Sequence, residues 1–306
     1  MTSEPGSKTT MRPSDGSPDM TTATPNPAAS ESTRRDAGQG AGPRRLRFRG
    51  VWRGEWIKLA SLRSIRWSIA LMILLTWAGA LLMSIALAAT DSTTPETMPG
   101  LIVQSATLGS LFTVLIMGVL GVLSITSEYA TGLILSSLMA VPTRIPLLAA
   151  KTLVVGVLGF AVGIASAFGG ALIAALLLGE GAFAAFGSSA VLAALVSNAV
   201  YLMLAALFAL GVGALLRSTA GAISAVVVVF FVATIALQML NLTGWAWVET
   251  VVAWMPASLG STLTMSSVMP ELSPAVGYWS AMLGLVVWAA LPFLPATILL
   301  KTRDAV

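Results

Sequence analysis

Residues Ser189–Leu216 read SAVLAALVSNAVYLMLAALFALGVGALL, with no charged residue from one end to the other, and Arg217 follows at once. Crossing about 30 Å of hydrocarbon as an α-helix takes about 20 apolar residues, and this stretch exceeds that. A membrane strand would be shorter and would alternate apolar with polar residues; this run does not alternate, and a helix pairs its own backbone polar groups within one segment. Five further runs of the same kind flank it, at Trp67–Ala89, Leu101–Ile125, Thr152–Leu178, Thr219–Leu240 and Val276–Leu300. The expected class is therefore an all-α integral membrane protein with six transmembrane helices.

The charges orient these runs. Lysines and arginines occur in Met1–Arg66, in the link holding Arg144 and Lys151, at Arg217, and in the tail with Lys301 and Arg303. The intervening segments, Thr90–Gly100, Gly179–Ser188 and Asn241–Ala275, contain none, although they carry Asp91, Glu96, Glu180, Glu249 and Glu271. Basic and base-free segments thus alternate along the chain. By the positive-inside rule both termini are expected in the cytoplasm; acidic residues weigh little in that rule.

Composition agrees. The chain is 56% hydrophobic and 10% charged, against about 25% charged in an ordinary soluble domain. The formal net charge is +4, but the bases sit beside apolar runs, where they set topology and meet anionic lipid heads, so no nucleic-acid partner is expected. Cysteine and histidine are both absent, which excludes disulfides, thiol chemistry, the usual zinc sites and histidine acid–base catalysis. No secretory signal peptide is visible, since the first forty-nine residues hold no apolar core region.

Three units are expected along the chain. Residues 1–49 are rich in Ser, Thr, Pro and Gly and poor in large apolar residues, which predicts a disordered cytoplasmic tail. Its end, with Arg44, Arg45, Arg47 and Arg49, serves either lipid-head binding or topology alone. Residues 50–66 mix Trp52, Trp56, Ile57 and Leu59 with Arg53, Lys58, Arg63 and Arg66, which predicts an amphipathic helix in the interface. Trp52, Trp56, Lys58, Arg63 and Arg66 are its expected anchors, tryptophans at headgroup depth and bases reaching water. Residues 67–306 form the six-span domain, with Pro292 and Pro295 expected to kink the last span. Gly159 and Gly163, four apart, fit either a close helix contact or ordinary packing.

Two connections are more than loops. In Thr126–Ala150, Thr126 or Ser127 is expected to cap a short cytoplasmic helix with Glu128 in its first turn, ended by Pro142. The long outer stretch Asn241–Ala275, with Trp245, Trp247 and Trp254, reads equally as helices dipping into the interface or as a solvated linker.

The chemistry available narrows function. Ionisable residues stand at span ends, as Glu128, Lys151 and Glu180 do, whereas an ion-coupled carrier needs them inside. The mid-membrane polar residues are neutral: Gln104, Asn198, Tyr201 and Gln238. There is no phosphate-binding loop of the form G-x-x-x-x-G-K-[ST], and no clustered carboxylates suggest an enzyme. A membrane body that receives work from a separate ATPase fits best.

Four stretches then carry a resemblance: EWIKLASLRSIRW (Glu55–Trp67), ITSEYATGLILSSLMAVPTRIPLLAAK (Ile125–Lys151), GALLRSTAGAIS (Gly213–Ser224) and WMPASLGSTL (Trp254–Leu263). In this order and spacing the chain resembles the permease subunits of type-2 ABC transporters, notably those of high-GC Gram-positive bacteria. The resemblance implies a subunit of the bacterial plasma membrane that pairs with a second permease copy, a homodimer being the expected form, and with two cytoplasmic ABC ATPase subunits. It implies that the chain binds no cofactor and is no enzyme, ATP and Mg being held by the partner ATPase. It also implies a coupling helix between spans two and three that docks on the ATPase through Glu128, Tyr129, Gly132, Leu133, Pro142 and Arg144. Export of a lipophilic or amphipathic compound is the leading expectation. A non-transporting scaffold or sensor, and an ion-coupled carrier, are the alternatives.

Overall fold

The computed structural model describes residues 48–90, 94–130, 144–269 and 276–302, which belong to the compact unit Leu46–Val306. The expected tail, up to residue 47, and the coupling positions Gly132, Leu133 and Pro142 lie outside the described residues.

Among the described residues every regular element is helical. Six helices or helix pairs are long and apolar enough to cross a membrane: Arg63–Ala88, Met98–Tyr129, Leu147–Leu177, Ser189–Leu216, Thr219–Asn241 and Tyr278–Ile298. The chain is thus a multi-pass membrane protein, with boundaries within a few residues of those read from hydropathy.

Helix α1 (Phe48–Ser61) precedes the first span, α2 (Arg63–Ala88). Leu62, extended at φ −74° and ψ 115°, separates them. The helix expected over 50–66 therefore stops short, and Arg63 and Arg66 belong to the first turn of α2. The buried residues of α2 are Met72, Thr76, Ala80 and Ser84, one every four positions, so a single narrow stripe faces the bundle.

The second span is broken. Helices α3 (Met98–Thr107) and α4 (Ser110–Ala130) meet at a turn over Leu108 and Gly109. A Cβ on Gly109 would stand 2.3 Å from the Cα of Thr76, so only glycine lets the turn lie against α2. The Thr76 and Thr113 hydroxyls pair across this contact at 2.7 Å.

The third span is α5 (Arg144–Leu177). Its 34 residues measure about 51 Å at 1.5 Å each, more than a bilayer's hydrocarbon, so the helix either tilts or extends past the apolar layer. A short helix α6 (Ala182–Phe186) leads to α7 (Ser189–Leu216), whose first turn is capped by the Ser188 hydroxyl accepting from the Val191 N–H. Helix α7 is the hub, buried along most of its length. Glycines set its approach to its neighbours: a Cβ on Gly163 would meet the Ala199 Cα at 2.7 Å, and one on Gly121 the Ala206 carbonyl at 2.6 Å. For Gly159 and Gly163 the close-contact reading holds, since both face the α7 backbone.

The fifth span runs from α8 (Thr219–Val227) through a π-helical turn at Val228–Val232 to α9 (Ala233–Asn241). The outer stretch folds into α10 (Ala246–Ala253) and α11 (Pro256–Met265). Helix α11 is no solvated linker. Leu259, Gly260 and Leu263 are buried, and Gly260 lies against the ring of Tyr201 on α7. The last span divides, as its prolines predict, into α12 (Tyr278–Ala290) and α13 (Phe293–Thr302), with Pro292 in the break and against Gly211 of α7.

Candidate functional site

Charges converge at one end of the bundle, the basic end. Glu55 and Lys58, three apart on α1, share a helix face. Glu128 stands in the last turn of α4, one turn beyond Ser124, and Lys151 stands near the start of α5. The Lys151 ammonium donates to Glu55 Oε2 at 2.6 Å, to Glu128 Oε1 at 2.7 Å and to the Ser124 carbonyl at 3.3 Å, which uses all three of its protons. Lys58 Nζ pairs with the same Glu128 oxygen.

The side chains of Glu128 and Lys151 are 1% and 4% exposed, Glu55 is 12% exposed and Lys58 is 40% exposed. Two acids and two bases sum to zero charge, and burial of Glu128 and Lys151 is tolerable because each meets two opposite charges. The second Glu128 oxygen, Oε2, is buried and has no hydrogen-bond partner among the described residues. The cluster ties α1, the end of span two and the start of span three into one node.

The neighbouring residue extends the node. The Arg217 guanidinium lies 5.5 Å from the centroid of the Tyr129 ring, a cation–π contact. Arg217 ends α7 in the left-handed conformation, φ 52°, and Ser218 then caps α8 through the Gly221 N–H. The last turn of α4 therefore touches α1, α5 and the link between spans four and five. Such an arrangement can transmit a displacement from one element to the others.

The structure corrects two local expectations. No helix starts at Thr126–Ser127: α4 continues through Ala130, the Thr126 and Ser127 hydroxyls bond back to the carbonyls of Val122 and Leu123, and Glu128 lies in a last turn instead of a first. The α4 register turns Glu128 inward to two lysines, so its carboxylate is not presented for direct docking. Lys58 pairs with Glu128 while its side chain stays 40% exposed. Trp52 and Trp56 are exposed on α1, and Arg63 and Arg66 are exposed on α2. Trp56 and Arg66 also edge an apolar cavity of about 200 Å³ between α1, α2 and α5. Arg144 is the first residue of α5.

Sequence reasoning gave Glu55 and Lys151 no role of their own. A signal existed: opposite charges at the facing ends of two spans joined by one link, and an acid–base pair three apart on α1. No protein-family model matches the chain, and no curated protein matches it.

Proposed function

We propose that this chain is the permease subunit of an ATP-binding-cassette transporter. It lies in a bacterial plasma membrane with both termini in the cytoplasm and exports a lipophilic or amphipathic compound. ATP and Mg are bound by a separate cytoplasmic ATPase, and a second permease copy completes the transporter. The basic end is then the cytoplasmic end, as the positive-inside rule requires.

One observation carries the reading. The expected ATPase-docking stretch, Ser127–Val141, begins in the last turn of α4 and leads into α5 at Arg144; two turns into α5, Lys151 clamps that last turn of α4 to α5 and to α1. A push on that segment reaches spans two and three and the interfacial helix together. Tyr129 and Arg217 pass it to the link between spans four and five. Gly132, Leu133, Pro142 and Arg144 keep their proposed docking roles. Glu128 acts by positioning, holding the clamp instead of touching the ATPase. Ionisable side chains of the described spans stand at span ends, which supports an external energy source over ion coupling.

The test is isolation in mild detergent followed by transport in inside-out vesicles. An ATPase should co-purify, and cargo should accumulate in vesicles only with ATP. Co-purification without ATP-dependent transport would assign a scaffold. Transport abolished by a proton uncoupler at constant ATP would assign an ion-coupled carrier.

A further inference from the structure

A second site lies in the half of the bundle away from the charge cluster. A cavity of about 360 Å³ sits between spans two, four and five and helix α11. Three departures from regular spanning helix meet there: the turn at Leu108 and Gly109, the π turn carrying Phe230 and Phe231, and α11 itself. Irregular backbone at membrane depth is tolerated where it is buried in protein or lines a cavity, and π turns recur at functional sites.

The wall is apolar and neutral-polar. Leu111, Val114, Phe230, Phe231 and Met265 supply apolar surface, and among the described residues no charged side chain lines the cavity. Asn198, on α7, is 2% exposed. Its Oδ1 accepts from the Ser110 hydroxyl at 3.3 Å, while its Nδ2, also buried, has no partner among the described residues. A buried amide nitrogen left without an acceptor is unfavourable, and a bound oxygen would relieve it. The Thr107, Ser261 and Thr264 hydroxyls, on residues that line the cavity, donate to carbonyls of their own helices. Leu108 and Leu111, at the edge, are exposed on the apolar outer surface of the bundle.

We propose that this cavity binds a small uncharged amphipathic molecule, an apolar body bearing a carbonyl or hydroxyl oxygen, and that the Asn198 amide, whose Nδ2 has almost no accessible surface, turns to donate to that oxygen. Charge is disfavoured because, among the described residues, the cavity wall offers no counter-ion. The volume lies at the small end of ligand sites, about 300–1,000 Å³, which fits a compact molecule and not a lipid with two tails. The edge at Leu108 and Leu111 admits it from the hydrocarbon layer. The site is complete within one chain and does not depend on the transport reading.

Benzophenone is a suitable probe, a neutral ketone between two phenyl rings whose excited carbonyl inserts into a nearby C–H bond. The purified full chain in detergent, without nucleotide, is irradiated with it and the adducts are mapped by mass spectrometry. Adducts should saturate with concentration and concentrate on 104–114 and 257–265. 4-Benzoylbenzoate, the charged analogue, should label these residues at least about tenfold less. Ser261→Phe, a filler at an exposed position, should cut labelling there about tenfold, and Asn198→Leu about fivefold. Adducts spread evenly over lipid-facing residues such as Leu74, Leu82 and Leu294 would overturn the proposal, and so would unchanged labelling in either variant. Because no ATPase takes part, failure here is distinct from failure of the transport reading.

Discussion

Replacing Lys151 by methionine keeps its apolar stem and removes the ammonium that holds Glu55, Glu128 and the Ser124 carbonyl. Glu128, 1% exposed, then retains only Lys58, itself 40% exposed. Breaking a buried ion pair costs about 3–5 kcal/mol, and the retained Lys58 contact places this case near 3 kcal/mol. Part of that loss falls on the docking of α1, which Lys151 joins to span three through Glu55. At about 1.36 kcal/mol per decade, 3 kcal/mol is about 150-fold in the opening equilibrium. Hydrogen–deuterium exchange over Phe48–Ser61 reads the share that falls on α1: amide protection should fall more than about tenfold in Lys151→Met, with about two decades as the upper bound. Lys58→Met removes a half-exposed charge worth about 1 kcal/mol or less, so protection should fall about fivefold at most. The double variant Glu128→Gln with Lys151→Met should recover part of the loss, because no unpaired carboxylate stays buried. Equal effects of Lys58→Met and Lys151→Met, or strictly additive effects in the double variant, would refute the clamp.

Two further outcomes test the packing. Gly109→Val should lower the thermal midpoint in detergent by an amount equivalent to about 1–3 kcal/mol, because its side chain must displace the Thr76 backbone, while Gly54→Ala, with nothing within 4 Å, should be neutral or slightly stabilising. For the hydroxyl pair between spans one and two, Thr76→Val should cost about 0.6 kcal/mol, and adding Thr113→Val should cost little more, as a thermal double-mutant cycle would show.

What could be read in advance follows the range of the interactions. The six spans, the break at Pro292 and the helix before the first span were legible, since hydropathy, proline and tryptophan act over a few neighbouring residues. The break at Gly109 was not, because nothing near it in sequence is unusual; glycine is required there by α2, which lies against it in space. The inward turn of Glu128 was missed for a related reason. A serine or threonine before a glutamate suits a helix start, and only the continuation of α4 to Ala130 made that residue a terminal one, facing α1 and α5.

The amino-acid sequence by itself determined that six stretches are long and apolar enough to cross a membrane and which links between them carry positive charge, because hydropathy and charge are sums over local stretches. Tertiary structure alone decided that Lys151 meets Glu55, 96 positions away, and that Ser110 meets Asn198, 88 positions away at the edge of a cavity. In a soluble helix an apolar stripe announces the packed face. In lipid both faces are apolar, so the rotation of each span is set by small-residue contacts and polar pairs that exist only once the helices stand together.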